Sequence, residues 1–243
     1  MRLQISNLRK SFGRQLVLDD VSYDTDVQAL AIIGPSGGGK STLLRLIAGL
    51  IPADAGTIRL GDVEVPHDEA SLRTYRRRNG FVFQTNGLFG HLTGMENLIL
   101  PLVHVHGRSD AEARDRASAL LARFNLSAEA DKYPHQMSGG QQQRMSIARA
   151  LGPEPEWLFL DEPTSALDPE YTAEVLDMLA EVRAEGMRTI IVTHHIGFAR
   201  TACDHIAFLT SGTLVETGLS AKVLDAPASP ELRRFLAKVL EWG

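Results

Sequence analysis

The stretch "GPSGGGKST" at positions 34–42 constrains the fold of this chain more than any other feature. It fits the pattern G-x-x-x-x-G-K-[ST], follows the apolar run "ALAII", and opens a run whose leucines and isoleucine recur at helical spacing. A glycine-rich loop between a buried strand and a helix gathers backbone N–H groups and the positive end of the helix dipole around one point. The motif therefore predicts a strand, loop and helix that bind the phosphates of a nucleotide.

Single positions of this loop have distinct expected roles. Lys40 is expected to reach the β- and γ-phosphates, and Ser41 is expected to ligate Mg²⁺. A glycine-rich turn without a ligand is the alternative, and the strand and helix on either side argue against it. The predicted phosphate cradle consists of Gly34, Pro35, Ser36, Gly37, Gly38, Gly39, Lys40, Ser41 and Thr42.

Two acidic residues, Asp161 and Glu162, end the apolar stretch "WLFLDE". Buried strands of parallel sheets are apolar along their length, and ligands bind beyond their carboxyl ends. We therefore expect Asp161 to orient Mg²⁺ and Glu162 to polarise the water that attacks the γ-phosphate. The alternative is a solvated strand end that carries two acids.

Strand patterns and helix patterns alternate along the rest of the chain, and helix patterns dominate from about residue 92 to residue 151. "GTIRLGDVEV" is typical of a hairpin with its turn at Gly61 and Asp62. With 243 residues, 44% of them hydrophobic, the chain can bury a large core. These patterns predict an α/β fold with a mainly helical insertion.

Composition narrows the function classes. A net charge of -5 argues against broad attraction to nucleic acid, so no nucleic-acid partner is expected. The single cysteine, Cys203, fits a reducing compartment and is expected to be a buried, inert thiol. No apolar run approaches the roughly 18–20 residues of a spanning helix, and the first residues lack a signal-peptide pattern. We expect a soluble chain whose membrane role runs through a partner.

Four stretches, in the order "GPSGGGKST", "MSGGQQQR", "LFLDEPTSALD" and "VTHH", resemble the ATP-binding subunits of ABC transporters, and the resemblance covers essentially the whole chain. It implies one ABC ATPase domain over 1–243 that hydrolyses ATP to ADP and phosphate, with Mg²⁺, to power transport. Within the domain it implies a RecA-like P-loop NTPase core at 1–87 and 152–243, with an N-terminal antiparallel β region. A helical signature subdomain is implied at 88–151.

By this resemblance, Ser138, Gly139, Gly140 and Gln141 bind the γ-phosphate of an ATP molecule held by a second copy of the protein. The chemistry agrees, because a hydroxyl and exposed backbone N–H groups at a helix N-terminus form an anion site. Two copies in a head-to-tail dimer, or a paired ATPase subunit, would complete both sites at once. The alternative is an ordinary helix cap by Ser138, which explains the serine but not the two glycines.

The resemblance also assigns Gln84, His194 and Glu162. Gln84 would contact Mg²⁺ or the attacking water, which places it with Ser41 and Asp161 among the expected metal ligands. His194 would hold the γ-phosphate and organise Glu162. The predicted catalytic residues are therefore Glu162, His194, Lys40 and Gln84.

Two further residues carry over with open alternatives. Phe12 would stack on adenine, because stacking makes no hydrogen-bond demand; without the resemblance it would be a core residue. Asp168 would communicate across the dimer, and its alternative is the N-cap of a helix that begins at Pro169.

The resemblance further implies that residues 85–98 receive a coupling helix from an integral membrane permease. Leu88, Phe89 and Leu92 are expected to be partly exposed there, although they could instead pack the helical insertion. "GFAR" at 197–200 looks most like the polar amino acid importers. This implies an importer subunit at the cytoplasmic face of the cell membrane, with a solute-binding protein as an indirect partner. An exporter or lipoprotein-release ATPase, and a soluble non-transport ABC ATPase, remain alternatives.

Overall fold

A computed structural model describes residues 1–85, 87–165 and 167–241. The chain divides into two units, Met1–Arg76 with Arg188–Gly243, and Arg77–Met187. Within the predicted permease-contacting segment, Asn86 lies outside the described residues. The second unit is larger than the predicted helical subdomain at 88–151, because β-strands and a further helix group with the helices. The division into core and subdomain stays a prediction.

The strands are β1 (Arg2–Phe12), β2 (Gln15–Asp26), β3 (Ala29–Ile33), β4 (Ala55–Leu60), β5 (Val63–Glu64), β6 (Asn79–Val82), β7 (Trp157–Asp161), β8 (Arg188–Val192), β9 (His205–Thr210) and β10 (Thr213–Leu219). The helices are α1 (Lys40–Ile47), α2 (Glu69–Arg77), α3 (Gly94–His104), α4 (Asp110–Arg123), α5 (Gly139–Leu151), α6 (Pro169–Ala184), α7 (Ile196–Ala202), α8 (Ser220–Asp225) and α9 (Pro230–Glu241).

The first unit contains strands of two kinds. β2, β1, β4 and β5 form an antiparallel sheet in that order, and buried and exposed residues largely alternate along β1, as expected for a sheet with one buried face. β3 runs parallel to both β8 and β9, and β10 pairs antiparallel with β9. β3 is buried along its whole length because parallel neighbours flank it on both sides.

The second unit combines the parallel pair β6 and β7 with α3, α4, α5 and α6. Three of these helices begin with a capping box, at Thr93, Ser109 and Ser138, in which a Glu or Gln three residues later closes the ring. Each box satisfies backbone N–H groups of the first turn, which explains why the helices begin at these residues.

The predicted fold class is confirmed, both in the parallel strands and in the N-terminal antiparallel region. The hairpin predicted at 56–65 corresponds to β4 and β5, and the Cys203 thiol is buried as expected. Among the described residues, no helix combines the length and the apolar character that crossing a bilayer requires.

Candidate nucleotide-binding site and signature loop

The glycine-rich loop of the first unit links β3 to α1, as predicted. A Cβ atom at Gly34 would overlap the carbonyl oxygen of Leu209, so the backbone can approach β9 this closely only without a side chain. Gly39 adopts φ 98° at the N-cap of α1, where a Cβ would lie 2.8 Å from Leu18 Cδ2. Strands β2 and β9 therefore approach the loop so closely that side chains at these two positions would clash.

Lys40 is the first residue of α1 and is only 6% exposed. Its Nζ atom donates a hydrogen bond to Pro35 O at 3.0 Å, which folds the ammonium back over the loop. A buried positive charge, a helix N-terminus and a loop that excludes side chains occur within seven residues. These features fit the phosphates of a nucleotide, because each of them favours negative charge at the same place.

His194 leaves the sheet at the same edge as the glycine-rich loop. β8 pairs with β3 in the register Ile32 to Val192, so the residues that follow these two strands emerge side by side. His194 is exposed, and its ring centroid lies 4.5 Å from that of His195. Burial lowers the pKa of His195, and the charge of His194 lowers it further, so His195 favours its neutral form.

Phe12 ends β1 and is 51% exposed, so the alternative of a core residue is wrong. The Lys10 ammonium lies 5.3 Å from the centroid of its ring and 2.8 Å from Asp54 Oδ1. Asp54 also accepts a hydrogen bond from the backbone N–H of Ser11 at 2.6 Å. Asp54 thus fixes the Lys10 ammonium beside the Phe12 ring, where the cation can interact with the ring's π electrons. The stacking of Phe12 on adenine stays a prediction.

The second unit brings Gln84 and Glu162 together. β6 pairs with β7 in the register Val82 to Leu160, so the residues that follow both strands emerge at one edge. Gln84 Nε2 lies 3.5 Å from Glu162 Oε2 and 3.2 Å from Ser165 Oγ. This places an amide beside the carboxylate that the sequence predicts as the base.

The two acids at the end of β7 differ in environment. Asp161 is completely buried, whereas Glu162 is partly exposed. Glu162 has a backbone φ of 46°, in the left-handed region that non-glycine residues rarely adopt. Such strain persists where the surrounding structure fixes it, and functional sites are a common place for it. The alternative of a solvated strand end that carries two acids is wrong for Asp161, which is buried.

Among the described residues, no cluster of three or more His, Cys, Asp or Glu side chains is arranged to hold a metal ion. Mg²⁺ usually binds through one or two protein groups together with substrate phosphates rather than in an all-protein cage. The oxygen atoms of Ser41, Gln84 and Asp161 have the right chemistry for such an ion, and their assignment stays a prediction.

The signature residues begin α5, with Ser138 as the N-cap. Ser138 Oγ accepts a hydrogen bond from Gln141 N at 3.2 Å, and Gln141 Oε1 accepts one from Ser138 N at 2.8 Å. The ordinary helix cap that we considered as an alternative therefore exists. It leaves the hydroxyl hydrogen of Ser138 able to donate, because Oγ is the acceptor in the cap.

The two glycines of the signature have different reasons to lack a side chain. A Cβ at Gly140 would lie 2.8 Å from Tyr171 Cβ, so the packing of α6 on α5 requires glycine there. At Gly139 the nearest atom would be Leu167 Cδ2 at 3.3 Å, a milder conflict. Packing against Tyr171 thus explains why residue 140 is a glycine, and no bound anion is needed for that explanation. The sequence did not indicate this packing. The amides of the first helical turn still lack partners within the helix.

Asp168 occupies the N-cap of α6, which begins at Pro169 as predicted. Its side chain makes no capping hydrogen bond. Asp168 is therefore the N-cap residue, as the alternative stated, but its carboxylate does not cap the helix. Its role across a dimer stays a prediction.

An apolar cavity of about 620 Å³ lies within the second unit. Phe83, Phe89 and Val105 line it and are 38%, 43% and 42% exposed. Leu88 and Leu92 are partly exposed, as expected. Sequence patterns did not indicate Phe83 and Val105, although Phe83 lies close to the predicted contact segment and Val105 directly follows its helix.

Cationic and titratable groups also line this cavity, namely His104, His106 and Arg149. Arg149 donates to Gly87 O at 2.9 Å and lies 5.4 Å from the centroid of Phe89. Burial lowers the pKa of Arg149, and burial followed by the charges of Arg77 and Arg108 lowers the pKa of His106. The cavity, which we call the Phe89 groove, therefore combines apolar walls with the partly buried positive charge of Arg149.

Comparisons with known proteins agree with these features. The family described as ABC transporter matches residues 18–165. The chain is 44% identical to the glutamate/aspartate import ATP-binding protein GltL of Escherichia coli, over 98% of this chain and 99% of that protein. It is 42% identical to the L-cystine transport system ATP-binding protein TcyN of the same species, over 98% of each chain.

A solved structure, the dimeric post-hydrolysis state of the ATP-binding cassette MJ0796 bound to ADP and Pi, is also similar. It has a TM-score of 0.79 and 32% identity, over 90% of this chain and 98% of the other.

Proposed function

The chain belongs to the ABC transporter family of ATPases, and from this premise we propose that it powers the import of an amino acid across a membrane. The observation that carries the proposal is its nearly full-length similarity to ATP-binding proteins named for glutamate/aspartate and cystine transport. We assign the chain to the cytoplasmic face of a membrane, where a permease holds it.

ATP binding begins at the glycine-rich loop in this proposal. The backbone N–H groups of the loop and the Lys40 ammonium surround the β- and γ-phosphates, and Phe12 stacks on the adenine. Neighbouring strands closely approach Gly34 and Gly39, and the Lys40 ammonium already bonds to Pro35 O, so we expect the loop to keep its shape before the nucleotide arrives. Binding therefore costs little reorganisation of the first unit.

Hydrolysis depends on Glu162, which accepts a proton from water as the water oxygen bonds to the γ-phosphorus. The bond from that phosphorus to the bridging oxygen breaks, and ADP and phosphate leave. Gln84, beside Glu162, helps to orient the water, and His194 donates to the γ-phosphate. Mg²⁺, when bound by Ser41, Gln84 and Asp161, neutralises charge on the phosphates.

Dimerisation completes each site. Ser138 and the first amides of α5 cap the γ-phosphate that the partner subunit holds, in a head-to-tail arrangement with two-fold symmetry. Loss of the γ-phosphate removes this contact and lets the pair open. The alternation between closed and open pairs is the motion that we propose to drive the permease.

The Phe89 groove is the surface that we assign to the permease. Its apolar walls suit a short amphipathic segment, and the partly buried Arg149 favours an acidic side chain or a helix C-terminus on that segment. We propose that the partner inserts such a segment between Phe83, Phe89 and Val105. A solute-binding protein would then act through the permease rather than on this chain.

Uptake measurements test the amino acid cargo. Cells without the chain are complemented with the wild type or with Lys40→Ala, and uptake of each radiolabelled amino acid is measured. We expect the deletion to lower the uptake of at least one amino acid and only the wild type to restore it. Unchanged uptake of every amino acid would refute the cargo class.

Co-purification tests the groove. The tagged chain is isolated from detergent-solubilised membranes, and integral membrane proteins are identified by mass spectrometry. Phe89→Glu and Val105→Glu should lose the permease, whereas Leu219→Glu, at a side chain that is 58% exposed on β10, should retain it. If all three variants co-purify with equal amounts of the permease, the permease does not bind in the Phe89 groove.

A further inference from the structure

A buried carboxylate in the second unit, that of Glu129, has no role in the function proposed above. Glu129 is 5% exposed and ends the short 3-10 helix Ser127–Glu129. A buried charge is costly unless it is paired and hydrogen-bonded. Its Oε1 atom accepts from Gln141 Nε2 at 2.9 Å and from Lys132 Nζ at 3.3 Å.

This contact determines how the Gln141 amide is turned. An ionised carboxylate can only accept hydrogen bonds, so the amide nitrogen must face Glu129. The amide oxygen is then directed to the backbone N–H of Ser138, at 2.8 Å. Lys132, Glu129, Gln141 and Ser138 thus form one connected chain of hydrogen bonds.

The end of this chain is the signature serine. Ser138 gives its N–H to the Gln141 amide and accepts from Gln141 N at Oγ, so the hydrogen bonds of its N–H and of its hydroxyl both depend on the placement of Gln141. The hydroxyl hydrogen is left as the donor that can face outward from the helix N-terminus. Lys132 meanwhile compensates the negative charge of Glu129, which would otherwise oppose an incoming phosphate.

We propose that Glu129 is a positioning residue: through Gln141 it holds the Ser138 hydroxyl in place to donate to the γ-phosphate on the partner subunit. This inference rests on the proposed function, because it presupposes that the signature binds the partner's nucleotide. Glu129 itself touches no nucleotide. A purely structural role would instead strengthen the start of α5 without affecting the dimer.

The test uses the Glu162→Gln protein, in which ATP is bound but hydrolysed slowly. Glu129→Met keeps the length of the side chain but removes the acceptor, and an apolar side chain suits a buried position. We expect it to weaken ATP-driven dimerisation, measured by light scattering, at least about tenfold, since the lost hydrogen bond counts twice in a two-fold dimer. The affinity of the monomer for ATP, measured by calorimetry, should not change.

Two further variants separate positioning from structure. Glu129→Gln retains an acceptor oxygen for Gln141 and should restore most of the dimerisation. Glu112→Ala opens the capping box of α4 in the same unit, so it should lower the melting temperature without changing dimerisation. A loss of dimerisation in Glu112→Ala equal to that in Glu129→Met would assign both effects to stability and overturn the inference.

The outcomes also separate this inference from the proposed function. If Glu162→Gln itself remains monomeric with ATP, the shared site is wrong. If that protein dimerises and Glu129→Met dimerises equally well, only the positioning role is wrong. Should Glu129→Met not fold, the side-chain amide protons of Gln141 in the parent protein provide the test by NMR. Slow exchange with solvent supports the contact with Glu129, and fast exchange contradicts it.

Discussion

Two loops of the molecule lead into helices and carry glycines: the glycine-rich loop of the first unit and the signature loop of the second. They differ in charge. The glycine-rich loop ends in the buried Lys40, whose ammonium folds over it. The signature helix has no basic residue in its first turn, and its serine already closes a cap. In the proposed function one loop holds a phosphate by itself, whereas the other adds a cap to a phosphate that the partner subunit holds.

A glycine at a helix N-terminus therefore does not by itself identify a phosphate site. Gly34 and Gly39 are required because neighbouring strands closely approach the glycine-rich loop. Gly140 is required because Tyr171 packs against it. The charge and the hydrogen-bond donors that remain, rather than the glycines, separate the two loops in function. Substitutions in each loop test this difference in function.

The largest effect on ATP affinity is expected for Lys40→Ala. Loss of a charge-assisted hydrogen bond to phosphate should weaken ATP binding to the isolated chain about 100-fold. Calorimetry with ATP and Mg²⁺ measures the affinity. Lys238→Ala, at an exposed lysine of α9, is the matched control and should bind like the wild type. Unchanged affinity in Lys40→Ala would remove the difference between the loops.

Ser138→Arg should produce the opposite pattern. The large cation replaces the donor that faces the partner, so ATP hydrolysis should fall about 100-fold, the effect of a lost transition-state donor. ATP affinity of the monomer should stay within about twofold, because the first unit binds the nucleotide. Steady-state hydrolysis and calorimetry give the two values. Ser138→Thr keeps a hydroxyl and should retain most activity, and full activity in Ser138→Arg would exclude the signature from the mechanism.

A smaller effect is expected for Phe12→Ala. Removing the ring should weaken ATP binding about fivefold to tenfold, the range for a lost stacking contact of about 1 kcal/mol. Binding of inorganic triphosphate, which has no base, should not change. Leu16→Ala, at a 53% exposed residue of the same hairpin, is the control. Equal losses for ATP and triphosphate would contradict a stacking role.

The smallest effect concerns pH. Hydrogen bonds from the Lys10 side chain and from the Ser11 backbone lower the pKa of Asp54 below its ordinary value. The folded state therefore favours ionised Asp54, so this contribution to stability is present above about pH 4 and is lost as the pH falls further. We expect wild type and Asp54→Asn to differ in unfolding midpoint at pH 6 and to converge at acidic pH. A constant difference down to pH 2 would contradict the assignment.

Local patterns predicted the parts of the site that a few adjacent residues build. The loop from Gly34 to Thr42, the strand that ends at Asp161 and the helix that begins at Pro169 could each be identified from short stretches, because sequence neighbours make these structures. The alternation of strands and helices then predicted the fold class.

The remaining features depend on residues that are distant in sequence. Glu129 ends a short 3-10 helix, and nothing in the sequence around it indicates that it will contact Gln141 twelve residues later. The Phe89 groove likewise brings Phe83 together with Val105 and Arg149. The Lys10 ammonium lies near the Phe12 ring and also bonds to Asp54, which directly precedes β4 and is distant in sequence. Such contacts follow from tertiary packing, which periodicity alone does not describe.

The most direct test of the account is the oligomeric state of Glu162→Gln. This substitution removes the base but keeps the size of the side chain, so hydrolysis should fall about 100-fold or more while ATP stays bound. Light scattering with ATP and Mg²⁺ should show the mass of a dimer, and ADP or the added substitution Ser138→Arg should return the monomer. A protein that binds ATP tightly and remains monomeric at every concentration would contradict the shared site.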